Sequence, residues 1–216
     1  MTTRDRDIVA ALLARHGTTY AEEAGIALAD KPSPLYELLV LSTLLSARIS
    51  SRIAVNAARE LFAAGLRTPQ RMTAATWQQR VNALGRGSYR RYDERTATML
   101  GDGADLPIEA YRADLRSLRT GDLTQRQLSD ALQQFPGIGP TGATIFLREV
   151  QDLWVLPEPV VDAKVLDGAR KLGLPTDAGK LIALAPDGQR ARLAAACVRA
   201  ALGPDIVAEI RDATRR

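Results

Sequence analysis

The stretch LSDALQQFPGIGPTGATIFL, residues 128–147, decides the fold. Leu128, Leu132 and Phe135 recur at helical spacing, and so do Ala143, Phe146 and Leu147 further on. Between these apolar faces Phe135-Pro-Gly-Ile-Gly139 cannot continue a helix, whereas Pro140 suits the first position of a new one. The stretch therefore reads as two helices joined by a five-residue hairpin. Gly137 and Gly139 permit backbone conformations closed to residues with a Cβ, and they leave amide N–H groups bare. Bare amides at a helix N-terminus form an anion site, and a nucleic-acid phosphate fits it without any reading of base sequence. Ile138, between the glycines, is expected to point back and pin the hairpin to the core. An ordinary tight turn between two helices explains the same spacing less fully. It leaves the small residues Gly142, Ala143 and Thr144 behind Thr141 unaccounted for.

Outward from the hairpin, nearly every segment reads as helix. Thr124 caps a short helix over 125–134, which leads into the hairpin. Upstream, Ile8, Val9, Leu12 and Leu13 share one face of a helix over 5–15. Pro32 and Pro34 close the lead-in, residues 35–47 form a buried helix and residues 51–64 a second, with Gly65 past its end. Thr68-Pro69 opens another helix, and Thr73 is read as the cap of one running through Trp77 to Leu84. Helices are expected from Tyr89 to Leu100 and from Pro107 to Leu118, separated by a Gly101-Asp-Gly103 loop. Downstream, residues 152–161, with Pro157 and Pro159, read as a loop or extended link. Helices follow over 162–172, 188–202 and 204–214, Gly173 and Pro175 stopping the first. No alternating strand pattern, internal repeat or low-complexity tract is found, so the class is all-α.

Composition narrows the chemistry. The 216 residues hold one cysteine, Cys197, and one histidine, His16. A lone cysteine makes no intramolecular disulfide and no four-cysteine zinc or iron–sulfur site, and a lone histidine makes no multi-histidine metal centre. A Ser-His-Asp triad would have to use His16, which reads better as a helix-end residue. Nothing approaches a membrane span, and the N-terminal residues mix acid and base with no apolar stretch of signal-peptide type, so a cytoplasmic protein is expected. The net charge is +4. Of the cationic side chains only Lys31, Lys164, Lys171 and Lys180 are lysines; the rest are arginines. Arginine suits phosphate recognition, but base composition of the gene explains the bias better in an alanine-rich chain.

The hairpin segment resembles the helix-hairpin-helix motif of the base-excision DNA glycosylase superfamily, the endonuclease III-like group. The likeness extends beyond it. In that family an aspartate opening a helix follows the hairpin by about two dozen residues. PVVDAKVLDGAR, residues 159–170, is similar and places Asp162 at the family's catalytic position. LLSARISSRIAVN, residues 44–56, resembles the family's helix-loop-helix, where a side chain plugs the gap left by a flipped base; Arg48 holds that position. The agreement covers roughly residues 30–175. It implies a two-lobed helical glycosylase fold. Residues 1–30 and 152–216 would form one lobe, and residues 31–151 a helical barrel lobe with the helix-hairpin-helix at about 124–150.

Three departures qualify what the resemblance implies. Bifunctional relatives carry a hairpin lysine that forms a Schiff base with the sugar; the matching residue here is Thr141, so lyase chemistry should be absent or weak. Many relatives bind an iron–sulfur cluster through four C-terminal cysteines; with Cys197 alone no such cofactor is expected, although a cation at the hairpin is compatible with the motif. Adenine-specific relatives use a glutamate on the first motif helix, and Leu41-Ser-Thr-Leu44 offers no acid.

By the resemblance, Asp162 would stabilise the positive charge that develops on C1′ as the base leaves, and would orient or deprotonate the attacking water. Its position equally suits a helix N-cap, and the two roles are compatible. Lys164 would contact phosphate or, less readily, act as an amine near the sugar. Arg48 would fill the abasic gap or grip a phosphate, against the plain reading of a solvated loop arginine. Phe135, Gly137, Ile138, Gly139, Thr141 and Gly142 complete the expected DNA-binding set. Arg86, Arg90, Arg91 and Arg95 surround Tyr89 and Tyr92 and could face DNA or only water. Tyr36, Trp77, Phe135, Phe146 and Trp154 could stack a flipped base or belong to the core.

The expected function is a monofunctional DNA glycosylase acting on a damaged base in double-stranded DNA. An alkylated purine is the first candidate, and the protein is expected to be a monomer. The alternative is a catalytically altered helix-hairpin-helix DNA-binding protein without base release. A helical protein–protein scaffold is the third.

Overall fold

The computed structural model describes residues 2–119, 123–154, 156 and 158–215. Thr120–Asp122 and, within the expected 152–161 link, Val155 and Pro157 lie outside the described residues, as do Met1 and Arg216. The described residues form α-helices and one short 3-10 helix, with no strand among them. The all-α reading holds.

The chain divides into two compact units, Met1–Tyr20 with Arg148–Arg216, and Ala21–Leu147. These junctions fall earlier in the chain than the 30/31 and 151/152 junctions read from the sequence.

In the first unit α1 (Thr3–His16) packs on α12 (Arg190–Leu202) and α13 (Pro204–Ala213), and α10 (Ala163–Leu172) packs on the same two. Helix α11 (Ala178–Ile182) is a short turn between α10 and α12. The central helix α12 is alanine-rich and buried nearly all round, from Ala191 to Ala201. Small side chains let neighbouring helices approach closely, and at one point they touch. A Cβ on Gly168 would collide with the backbone carbonyl of Cys197, so glycine is what lets α10 lie against α12. His16 Nε2 lies 3.0 Å from Glu209 Oε2 and Arg15 Nη1 2.9 Å from Oε1, tying the end of α1 to α13. This is the helix-end role expected of the one histidine.

The second unit is built around α3 (Pro32–Leu45), buried from Leu35 to Leu44. Helix α4 (Ser51–Ala63) packs on α3, α6 (Trp77–Arg86) on α4, and both α5 (Pro69–Ala74) and α6 on α7 (Asp93–Tyr111). A short α2 (Tyr20–Glu23) precedes them, the 3-10 helix Leu115–Arg119 touches α3, α7 and α8 (Gln125–Leu132), and α9 (Pro140–Val150) runs across the 147/148 junction.

Several local expectations are corrected. Pro32 and Pro34 do not end a segment; they sit in the first turn of α3, where a missing N–H costs nothing. Thr73 lies inside α5, and the cap of the next helix is Thr76, in a capping box with Gln79. Gly101-Asp-Gly103 does not break the chain, because α7 runs unbroken through it and through Pro107. Both glycines serve packing. A Cβ on Gly101 would collide with the Arg80 guanidinium, and one on Gly103 would stand 3.2 Å from the Pro136 carbonyl oxygen. Arg80 needs that space. Its buried guanidinium donates to the carbonyls of Ala97 (2.8 Å), Met72 (3.0 Å) and Ala75 (2.7 Å), joining α5, α6 and α7.

Arginine has the same internal use elsewhere. Arg59 donates to the Glu23 carbonyl, Arg192 to that of Gly17, Arg211 to that of Lys171, and Arg199 to those of His16 and Thr18. Part of the arginine surplus thus holds the fold together and is not available to a partner. Among the described residues no helix is long and apolar enough to cross a membrane.

Candidate functional site

The hairpin joins α8 to α9. Thr124 caps α8 in a capping box with Gln127. The chain leaves α8 through successive turns, and the Ile138 amide donates to the Phe135 carbonyl at 2.9 Å. The two glycines have different tasks. Gly137 adopts φ +87°, and a Cβ there would also stand 2.8 Å from Met99 Cε and 3.0 Å from Thr43 Cγ2. Gly139 has no such backbone requirement, and a Cβ on it would meet nothing. The absent side chain leaves the approach to its amide open. The Ala143 amide closes the first bond of α9 on the Gly139 carbonyl at 3.0 Å. Among the described residues the amides of Gly139, Thr141 and Gly142 have no acceptor. They stand at the N-terminus of an eleven-residue helix, an arrangement that attracts anions.

The remaining hairpin residues separate by burial. Ile138 is 5% exposed and turns inward, with Gly142 packed beneath its side chain. Phe135 is also buried and stacks on Tyr111 at a centroid distance of 5.5 Å. The two anchor the hairpin from below. Gly139, Pro140 and Thr141 are exposed.

Arg48 is exposed in the loop between α3 and α4, where Ser50 caps the latter. No ion pair engages its guanidinium among the described residues. It lines a cavity of about 430 Å³ together with Gly137, Ile138, Gly139, Tyr89, Tyr92 and Arg95. The second unit thus brings Arg48, the hairpin and part of the arginine–tyrosine cluster to one place. Tyr89 accepts a long hydrogen bond from Thr96 Oγ1 (3.4 Å), and burial pushes its phenol above the ordinary range. The Arg91 guanidinium stacks over the Tyr92 ring at 5.2 Å. Arg86 does not join this group; it pairs with Glu60 at 2.8 Å. Tyr36, Phe146 and Trp154 are core side chains, and Trp77 is 41% exposed with its indole N–H on Thr98 Oγ1. The aromatic side chains that line the cavity beside the hairpin are therefore Tyr92, partly exposed, and Tyr89, buried.

Asp162 lies in the first unit as the N-cap of α10. Its Oδ1 accepts from the amides of Lys164 and Val165, both at 2.9 Å. Its Oδ2 accepts from Arg148 Nη1 at 2.5 Å. The Asp162 side chain is 23% exposed, whereas that of Arg148 is 4% exposed. The carboxylate is thus held by three donors and still reaches solvent at one edge. Lys164, two residues on, is exposed.

Sequence reasoning missed Arg148. The available signal was a cation in the apolar helical run ATIFLREV, since an arginine there needs a buried anionic or carbonyl partner. A larger cavity in the same unit, about 560 Å³, borders Asp152, Asp187 and Arg190 and is lined by none of the expected site residues. Asp152 is engaged as a cap, accepting from the amides of Arg190 (3.1 Å) and Ala191 (2.8 Å). Among the described residues no group of three or more histidine, cysteine, aspartate or glutamate side chains could hold a metal ion.

No protein-family model matches the chain, and no curated protein matches it. Solved structures do. A non-covalent endonuclease III–DNA complex superposes with a TM-score of 0.54 at 17% identity, covering 92% of this chain and 86% of that one. A trapped endonuclease III–DNA covalent intermediate, an estranged-adenine complex, gives 0.53 at 17% identity with the same coverage. The chain has the all-helical fold of endonuclease III.

Proposed function

We propose that this protein belongs to the helix-hairpin-helix DNA glycosylase superfamily and hydrolyses the N-glycosidic bond of a damaged base in double-stranded DNA, without strand cleavage. The observation that carries the reading is Asp162, a partly exposed carboxylate fixed by two amides and an arginine at a helix N-terminus. An anion held in one orientation is suited to stabilise the positive charge that develops on C1′, because its dipoles need no rearrangement when the bond breaks. The free amides of Gly139, Thr141 and Gly142 supply a cradle for a backbone phosphate. Arg48, beside that hairpin, is the side chain for the gap left by the extruded base. Lys164, exposed past Asp162, adds a phosphate contact.

Thr141 has no amine, so no Schiff base forms through the hairpin and the sugar–phosphate strand stays intact. A single carboxylate acts best on a base that leaves without a proton from the enzyme, which makes an alkylated purine the favoured target. The protein works as a monomer in the cytoplasm, without an iron–sulfur cluster.

The test is a base-release assay on duplexes carrying uracil, alkylated purines, oxidised pyrimidines or mismatches. Release from one class is expected, with Asp162→Asn abolishing release and sparing duplex binding. An unchanged rate in that variant would remove the catalytic assignment. Borohydride trapping on the active duplex should give no adduct; an adduct would point to Lys164 as the nucleophile.

A second reading has its own observation. The Arg148 ion pair offsets the charge of Asp162, as would suit a DNA-binding protein that no longer releases bases. That reading requires salt-sensitive duplex binding with no release anywhere in the panel.

A further inference from the structure

The geometry points to Arg148 as a positioning residue for Asp162, one that fixes which oxygen of the carboxylate can act. The inference rests on the glycosylase reading proposed above. A carboxylate has about four acceptor sites, two on each oxygen. Oδ1 spends both on the amides of Lys164 and Val165. Oδ2 spends one on Arg148 Nη1. The remaining acceptor site is therefore on Oδ2, and any water or developing cation that Asp162 serves must be served there.

Arg148 is well placed to impose this. Its side chain is 4% exposed, and among the described residues its Nε has no hydrogen-bond partner. A buried guanidinium gives up hydration, and among the described residues its charge is met by Asp162. Leaving either partner alone in that setting is costly, so each holds the other in one rotamer. Arg148 lies at the C-terminal end of α9, whose N-terminus carries the hairpin amides. A single helix therefore supplies both the amide cradle and the guanidinium that orients Asp162.

The capping amides would hold Asp162 in place without Arg148, as they do for an ordinary N-cap. What the arginine adds is the orientation of the second oxygen. Its loss should therefore reach the chemical step and leave duplex binding alone. Arg148 touches Asp162 and not the substrate, so it is not itself a catalytic residue.

The experiment compares wild type, Arg148→Gln, Arg148→Lys, Asp162→Asn and the Arg148→Gln/Asp162→Asn double variant in the full chain. On the duplex that wild type processes, single-turnover release by Arg148→Gln is expected to fall about tenfold to a hundredfold, the scale of losing alignment at the reacting centre. Its duplex affinity is expected to stay within about twofold, which separates the chemical step from binding. Arg148→Lys should recover part of the rate, because a point charge can still serve one oxygen. A wild-type rate in Arg148→Gln overturns the proposal. So does a parallel loss of rate and affinity in both Arg148 variants, which marks a purely structural role.

Thermal melts of the same set need no substrate. The Tm losses of the two single substitutions should exceed that of the double variant when summed, because each single change strands one buried partner. Additive losses overturn the pair. If wild type releases no base from any duplex while the losses are non-additive, the proposed function fails and the pair stands.

Discussion

At the scale of single residues, the two hairpin glycines make opposite predictions. Gly137→Ala forces an L side chain into φ +87° against Met99 and Thr43, and should cost about 1–3 kcal/mol of stability. Gly139→Ala meets open space and no backbone strain, so its Tm should stay near wild type while duplex affinity falls, because the new methyl group intrudes on the amide cradle. Equal affinities for Gly139→Ala and wild type would show that no phosphate sits there. The sequence marked both glycines but could not separate them, because a backbone angle and an empty volume are properties of the folded hairpin. Glu37 gives a pH prediction. Burial raises its carboxyl above the ordinary range, outweighing the help of Ser33 and Arg67. A raised carboxyl favours the protonated form in the folded state. Its contribution is therefore best in acid, below the unfolded value, and turns unfavourable as pH rises through the folded value. Glu37→Gln should melt higher than wild type near neutral pH, and the gain should vanish as the pH drops below the ordinary glutamate range.

At the scale of elements, the sequence was read well where helix ends carry their own chemistry. Thr68-Pro69, Thr124 and Asp162 each stand at the expected helix start, because capping is a bond between neighbours in the chain. The reading failed at Gly101-Asp-Gly103, where glycine signals a break to its neighbours but serves partners distant in sequence, Arg80 and Pro136. Gly101→Ala is expected to displace the Arg80 guanidinium from its three carbonyls and lower Tm by several degrees in a denaturation scan. The α10–α12 crossing makes a stronger prediction. Gly168→Ala drives a methyl group into the Cys197 carbonyl and should cost at least about 2 kcal/mol, measured in urea. Because α10 carries Asp162 at its N-terminus, a folded Gly168→Ala protein should also lose base release more than duplex affinity.

At the scale of the whole molecule, Cys197 reports on the first unit. Burial pushes its thiol up to about 12, so a thiol reagent should react with it only after that unit opens. Reaction at the rate of a free thiol in the native protein would contradict this packing. The arginine surplus makes a broader statement. Arg80 and Arg199 are held by carbonyls, whereas among the described residues no ion pair engages Arg48. Arg48→Ala should therefore lower the salt slope of duplex binding by about one, in a titration of affinity against salt. By itself the sequence determined the helical class, the hairpin between its two helices, the cap at Asp162 and the cysteine count that leaves no four-cysteine cluster. Each of these depends on residues close in the chain or on simple counting. Only the tertiary structure decided that Arg48 shares a cavity with the hairpin, that Phe135 and Ile138 are its buried footing, and that Arg148 holds Asp162. Those contacts join residues far apart in sequence, and burial sets their strength by removing the water that would otherwise compete for the same charges.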